Sequence, residues 1–291
     1  MHDEPQCASD HGSRGVESMS YFTASDGVEI FYKSFGDGQP IVFSHGWPLT
    51  ADAWEGQMLF FGMRGYRVVA HDRRSHGRSQ QVWDGNTMDR YADDLAELLE
   101  ILDLRDAVLV GHSTGGGEVA RYVGRHGVGR VAKAVLVGAV PPIMLASSSN
   151  PEGLPMDVFD STRAGVASNR SQFFKDLAVP FYGHNRDDAK RSVGLEDAFW
   201  LQGMEGGLKG LYDCIREFSE LDYSADLAKM TIPTLFIHGD DDQIVPLAAS
   251  AQKAVRLTPQ GELLVYPGGS HGLAQTDPEK FNHDVLAFIK R

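Results

Sequence analysis

The stretch that decides the fold is AVLVGHSTG, from Ala107 to Gly115. Its first four residues are apolar and predict a strand that is buried on both faces. The next five have the form G-x-S-x-G, and a helical pattern follows at 116–126. So tight a turn requires residues without side chains at Gly111 and Gly115, and it lifts the hydroxyl of Ser113 clear of the backbone. The pattern therefore predicts a strand, a turn and a helix that together present Ser113 as a candidate nucleophile.

Short runs of strand-like character recur along the chain, with helical patterns between them. Most of these runs are continuously apolar and rich in β-branched residues or leucine, which is typical of strands covered on both faces. Strands that alternate with helices favour an α/β fold with a mostly parallel, doubly wound sheet. The other strand-like runs are 28–34, 40–44, 67–70, 134–140, 234–238 and 262–266, and the earlier helical patterns are 52–63 and 88–102.

The alternation stops between residues 142 and 225. Helical patterns occur there at 157–177, 187–203 and 208–218, and strand-like runs do not. We interpret this stretch as a helical lid insertion into a core formed by 19–141 and 226–291. The alternative is an independent second domain.

The composition narrows the classes of partner. The formal net charge is −13, which disfavours nucleic acid and anionic membranes. The longest apolar stretch, 134–145, is too short to cross a bilayer and contains Pro141 and Pro142. The sequence thus predicts no membrane span, and a homo-oligomer is compatible with it.

The first 18 residues mix acidic residues with Gly, Ser and Pro and lack an apolar block, so we expect a disordered tail. The two cysteines, Cys7 and Cys214, stand outside any paired ligand or redox motif. They imply no disulfide framework and favour a reducing, cytoplasmic setting.

A serine hydroxyl is a poor nucleophile near neutral pH, so a positioned imidazole must take its proton. Among eleven histidines, His271 follows the final predicted strand, in the loop PGGSHG at 267–272. Ligand sites of α/β sheets form at this carboxyl edge. The chain order of serine, then acid, then histidine also selects His271.

The acid is expected in the segment GDDDQIVP at 239–246, at the end of another predicted strand. We predict Asp242, because its separation of 29 positions from His271 accommodates one helix and one strand. Asp240 is the alternative. The three consecutive aspartates lack the alternating ligands and the bidentate glutamate of a calcium loop, which disfavours a metal site.

Two main-chain N–H groups are expected to stabilise an oxyanion. One belongs to Thr114, at the start of the helix after Ser113, and the other to Trp47, in the loop HGWP at 45–48. His45 and His112 adjoin these positions, and we interpret both as structural.

Together these residues resemble the bacterial cofactor-free haloperoxidases and aryl esterases of the α/β-hydrolase superfamily. The resemblance covers 19–291, and its carriers are SHGWP at 44–48, DRRSHGRS at 72–79, the glycine-rich turn at 111–117, the acid segment at 238–246 and SHG at 270–272. The chain departs from the family at Ser75 and His76, where a glycine followed by another residue is usual.

The resemblance implies hydrolysis of short-chain aryl or alkyl carboxylic esters through an acyl-enzyme. It also implies a perhydrolase side reaction, in which hydrogen peroxide replaces water and a peracid is released. The partners would be a small ester, or a carboxylic acid with hydrogen peroxide, and no cofactor or metal is implied. Two alternatives stay open: a small-molecule-binding or receptor protein of the same fold with little turnover, and a lactonase or carbon-carbon hydrolase with the same triad.

Overall fold

The computed structural model describes residues 18–291. Within that range the chain forms one eight-stranded sheet with the strand order β1-β2-β4-β3-β5-β6-β7-β8. The strands are β1 Ser18–Thr23, β2 Glu29–Phe35, β3 Pro40–Ser44, β4 Arg67–His71, β5 Ala107–His112, β6 Val131–Val137, β7 Thr234–Gly239 and β8 Gly261–Tyr266. The first two strands pair antiparallel with their neighbours and the others pair parallel, so the predicted mostly parallel sheet is confirmed.

Helices cover both faces of the sheet. A 3₁₀ turn at Ala51–Trp54 leads into α1 Glu55–Gly62, followed by α2 Met88–Ile101 and α3 Thr114–His126. Helices α4 Met156–Phe181, α5 Val193–Glu205, α6 Leu208–Ser219 and α7 Ser224–Leu227 all lie between β6 and β7. The chain ends with α8 Ala251–Leu257, α9 Leu273–Thr276 and α10 Pro278–Ile289. No helix in 18–291 is long and apolar enough to cross a membrane.

The sheet separates two hydrophobic clusters, and β5 shows how. Leu109 packs into the cluster on one face, whereas Val108 and Val110 pack into the cluster on the other. Successive side chains of a strand point to opposite faces, so a strand in the middle of a covered sheet must be apolar at every position. All six residues of β5 are buried, as the continuous apolar run predicts.

Several sequence-based boundaries were wrong. The tail predicted for 1–18 includes Ser18, which is the first residue of β1, and 1–17 lie outside the described residues. Strand β6 begins at Val131 and ends before Gly138, whose φ of 49° takes the chain out of the sheet. Helix α5 begins only at Val193, because the hydroxyl of Ser192 caps it by accepting the N–H of Leu195 at 3.3 Å.

Candidate active site

The turn that carries Ser113 lies between β5 and α3, at the carboxyl edge of the sheet. Ser113 has φ of 54° and ψ of −118°, a conformation that L-residues adopt only under strain. Its N–H donates to the carbonyl of Val137 at 2.9 Å. A Cβ on Gly111 would lie 2.3 Å from the carbonyl oxygen of Gly115, and a Cβ on Gly115 would lie 2.2 Å from that of Ser44. Close backbone contacts therefore require both glycines of the motif.

His271 lies in the loop between β8 and α9, and it is oriented by a carboxylate. Its Nδ1 is 2.7 Å from Oδ2 of Asp242. Since an ionised carboxylate only accepts hydrogen bonds, Nδ1 carries a proton, and in the neutral ring Nε2 is then the nitrogen without one. Nε2 is buried and has no hydrogen-bond partner among residues 18–291. A general base needs such a free nitrogen to accept a proton.

The side chain of Asp242 is fully buried. Its Oδ1 accepts the N–H groups of Ile244 at 2.9 Å and Val245 at 2.8 Å. Burial by itself would raise the pKa of Asp242, but the charge of His271 and hydrogen bonds from His238 and His271 lower this pKa well below its ordinary value of 3.8. Asp242 is therefore ionised at neutral pH.

The two neighbouring aspartates have other partners. Oδ1 of Asp240, an exposed residue, accepts the N–H of Gly268 at 2.6 Å, and Asp241 forms an ion pair with Arg186. The three carboxylates thus diverge, and the one that contacts His271 is Asp242, the residue chosen from the sequence.

Two further histidines contact this pair. Nε2 of His238 donates to the carbonyl of Val245 at 2.9 Å and lies 3.3 Å from Oδ2 of Asp242. Nε2 of His112 donates to the carbonyl of His271 at 3.0 Å. Sequence reasoning assigned no role to His238 and only a structural one to His112. The available signal was a polar residue at the carboxyl end of an otherwise apolar strand.

The expected oxyanion donors lie beside Ser113. Thr114 is the first residue of α3, and the first N–H groups of a helix have no partner within it. The loop of Trp47 passes directly against the nucleophile, because a Cβ on Gly46 would lie 3.2 Å from Cβ of Ser113. Nε1 of Trp47 donates to the carbonyl of Leu211 in α6 at 3.0 Å, which fixes its ring.

These groups open into a pocket of about 410 Å³ that Ser113, Thr114, Trp47 and His271 line in part. No Asp, Glu, Lys or Arg of the described chain lines it. Helix α4 supplies much of the wall, so the segment between β6 and β7 covers the pocket. The apolar side chains of its wall include Met144, Phe159, Phe173, Leu177, Phe181 and Phe218.

The sequence of the insertion also suggests a particular set of side chains as pocket-shaping candidates: Phe173, Phe174, Phe181, Phe199, Trp200 and Leu201. The structure brings two of these six to the pocket. Phe173 and Phe181 line the cavity. Phe174 and Phe199 are fully buried in the core instead. The other two, Trp200 and Leu201, are half-buried and exposed respectively, and neither lines the cavity. Helical periodicity alone does not distinguish these positions.

A mostly parallel sheet with helices on both faces and a serine at the turn after a central strand is the architecture of the α/β hydrolases. This chain belongs to that family, whose model, the alpha/beta hydrolase fold, matches residues 39–278. It is 58% identical to a non-heme haloperoxidase of Rhodococcus erythropolis, over 94% of this chain and all of that protein. It is 54% identical to a bifunctional esterase/perhydrolase of Acinetobacter calcoaceticus, with the same coverage. The crystal structure of a bromoperoxidase from Bacillus anthracis matches with a TM-score of 0.89 and 39% identity, over 94% of this chain and all of that one.

Proposed function

We propose that this protein is a serine hydrolase of short-chain aryl and alkyl carboxylic esters, with a perhydrolase side activity that needs no cofactor. The observation that carries the proposal is the state of His271. Its Nδ1 is held by Asp242 at 2.7 Å, and its bare Nε2 is buried at a pocket that Ser113 also lines. An imidazole in this state accepts a proton from a serine hydroxyl.

In the proposed reaction, Oγ of Ser113 attacks the ester carbonyl while Nε2 of His271 takes the hydroxyl proton. The N–H groups of Trp47 and Thr114 stabilise the oxyanion. The protonated imidazole then gives its proton to the departing alcohol, which leaves Ser113 acylated. Asp242 stays ionised throughout and stabilises the imidazolium.

Deacylation repeats these steps with a second nucleophile. His271 takes a proton from water as the water attacks the acyl-enzyme. The protonated imidazole returns this proton to Oγ of Ser113 as the bond between the acyl group and the serine breaks, and the carboxylic acid is released. Hydrogen peroxide in the same position releases a peracid and restores the Ser113 hydroxyl in the same way. When acetic acid replaces the ester, the acyl-enzyme forms by the reverse of the water reaction, with water as the leaving group. The names of two relatives, a bifunctional esterase/perhydrolase and a non-heme haloperoxidase, support this second outcome.

The pocket supports an uncharged organic substrate. Its described wall has no charged residue apart from the histidine, when that ring is protonated, and its apolar side chains favour aryl or alkyl groups. A charged acyl group would lose its hydration there without gaining a partner. The proposal includes a cytoplasmic location, which the free and buried thiol of Cys214 supports.

The test measures p-nitrophenyl acetate hydrolysis, and peracid formation from acetate and hydrogen peroxide with a chelator present. Both activities should be measurable in the wild type. Ser113→Ala should lower both by about 10³-fold or more. Tight ligand binding without turnover would instead identify a binding protein. Turnover of lactones, or cleavage of carbon-carbon bonds, in preference to ester hydrolysis would identify a lactonase or a carbon-carbon hydrolase.

A further inference from the structure

A carboxylate is buried beneath the oxyanion site. Glu118 lies in α3, four residues after Thr114, and its side chain is completely buried. Its Oε1 accepts from Nε2 of His71 at 2.8 Å and from Oγ of Ser44 at 3.2 Å. Its Oε2 accepts from Nε of Arg73 at 2.7 Å. Burying this charge without partners would cost several kcal/mol, and these donors offset that cost.

The partner of this carboxylate also contacts the other side of the oxyanion site. The guanidinium of Arg73 donates through a terminal nitrogen to the carbonyl of His45 at 2.7 Å. The main-chain N–H of Arg73 donates to Nε2 of His45 at 2.9 Å. Nδ1 of His45 in turn donates a hydrogen bond to the carbonyl of Gly46 at 2.8 Å. Trp47 is the next residue, so Arg73 holds the main chain two residues before one of the expected donors.

The protonation states agree with this arrangement. Burial by itself would raise the pKa of Glu118, but the charges of Arg73 and His71 lower it to about 2. Burial and the nearby charge of Arg73 lower the pKa of His45 well below 6.5. Neutral His45 can therefore accept from Arg73 at one nitrogen and donate to Gly46 from the other.

We propose that the ion pair of Arg73 and Glu118 is a positioning device for the oxyanion site. Glu118 is anchored in the helix that begins with Thr114, and Arg73 is bonded to the loop that presents Trp47. The pair sets the distance and direction between two main-chain N–H groups that come from separate segments. Oxyanion donors are effective only when they are held at the place where charge develops. The inference rests on the proposed hydrolase function.

The alternative explanation is that the ion pair of Arg73 and Glu118 only stabilises the fold. The next residue in the chain, Arg74, provides a matched control. Arg74 forms an equally buried ion pair with Asp94, with Nε to Oδ2 at 2.6 Å and a second bond at 2.7 Å. Its remaining carboxylate partner is Asp26, at 2.9 Å, away from the oxyanion loop. Neither Arg74 nor Asp94 lines the pocket. The two pairs thus share burial and chemistry and differ in what they hold.

The experiment compares Glu118→Gln with Asp94→Asn. Each change replaces the buried carboxylate partner of an arginine with a neutral amide, and Arg74 also keeps Asp26. Both changes should therefore lower the unfolding temperature. With p-nitrophenyl acetate, only Glu118→Gln should lower kcat, by about 10- to 100-fold, while KM changes by less than about 3-fold, because oxyanion stabilisation acts in the transition state. Phenylboronic acid, which forms a tetrahedral adduct with the serine, should bind Glu118→Gln more weakly by a similar factor.

Arg73→Lys serves as a second variant in case Glu118→Gln does not fold. It keeps the positive charge but cannot hold both Glu118 and the carbonyl of His45, and kcat should fall by about 10-fold. An equal loss of kcat in Asp94→Asn, or a loss confined to KM, overturns the positioning role. Absence of esterase turnover in the wild type would instead overturn the proposed function.

Discussion

Nε2 of His112 donates a hydrogen bond to the main-chain carbonyl of His271 at 3.0 Å, across 159 residues of sequence. His112 is the last residue of β5 and immediately precedes Ser113. The rings of the two histidines lie close, with centroids 4.7 Å apart. One side chain therefore joins the segment of the nucleophile to the loop of the base. This contact orients the main chain of His271 independently of Asp242.

The contact predicts different effects for two substitutions of His112. Leucine removes the donor and should lower kcat for ester hydrolysis by about 10-fold, because the loop of His271 loses an anchor and the base moves. Glutamine places an amide nitrogen near the former Nε2 and should retain most of the activity. Steady-state kinetics of both variants are the measurement. Equal activity in the two would show that the hydrogen bond has no role in positioning the base.

The same residue makes stability depend on pH. Burial, with the nearby charge of His271, lowers the pKa of His112 from 6.5 to about 3. Between these pH values the unfolded chain binds a proton that the folded chain does not, so the free energy of unfolding falls as pH decreases. The stabilisation is complete above about pH 6.5 and is lost toward pH 3, by up to about 1.4 kcal/mol per pH unit. Urea unfolding at pH 7, 6 and 5 should give a smaller slope in His112→Gln, and an unchanged slope would contradict this assignment.

The choice between two aspartates is testable by paired amide substitutions. Asp242→Asn leaves an acceptor and a donor where His271 needs an ionised acceptor, and kcat should fall by about 10³- to 10⁴-fold. Asp240→Asn should have an effect of less than about 3-fold, because Asp240 is exposed and contacts the N–H of Gly268. Kinetics at pH 7 and 8 separate the two. The reverse order of effects would assign the acid to Asp240.

The strained backbone of Ser113 predicts a conflict between activity and stability. Its φ of 54° with ψ of −118° suits glycine and disfavours every residue with a Cβ. Both Ser113→Gly and Ser113→Ala remove the nucleophile. The glycine variant should unfold with a free energy about 1 kcal/mol higher than that of the alanine variant, after allowance for the flexibility of glycine in the unfolded chain. Denaturant unfolding of the two inactive variants, side by side, tests this order.

Two phenylalanines of the insertion should differ in what they control. Phe173 lines the pocket, so Phe173→Ala enlarges it and should raise turnover of p-nitrophenyl hexanoate relative to the acetate by about 10-fold. Phe199 is fully buried and does not line the pocket. Its alanine variant should lose about 3 to 5 kcal/mol of stability with the same chain-length preference. If Phe199→Ala changed the chain-length preference and Phe173→Ala did not, the pocket wall would not be what determines specificity.

Much of the fold of this protein can be predicted from short-range patterns in its sequence. The apolar run before Gly111, the spacing of glycines around Ser113 and the helix that follows are local features, and the structure has them at nearly the expected residues. The candidate site could also be predicted from the chain order of Ser113, Asp242 and His271. Each of these residues follows a strand, and parallel strands end at the same edge of the sheet. The sequence patterns did not predict strand β1, because it has no clear periodic pattern of its own and forms by pairing with β2.

Only the tertiary structure decided which polar groups meet inside the molecule. Nothing in the local sequence of Glu118 indicates that its carboxylate accepts a hydrogen bond from Arg73. Nor does it indicate that Arg73 also donates to the carbonyl of His45. The same holds for His238 beside Asp242 and for His112 beneath His271. The physical reason is that a buried polar group must find its partners wherever packing brings them. Those partners come from segments whose separation along the chain carries no periodic signal.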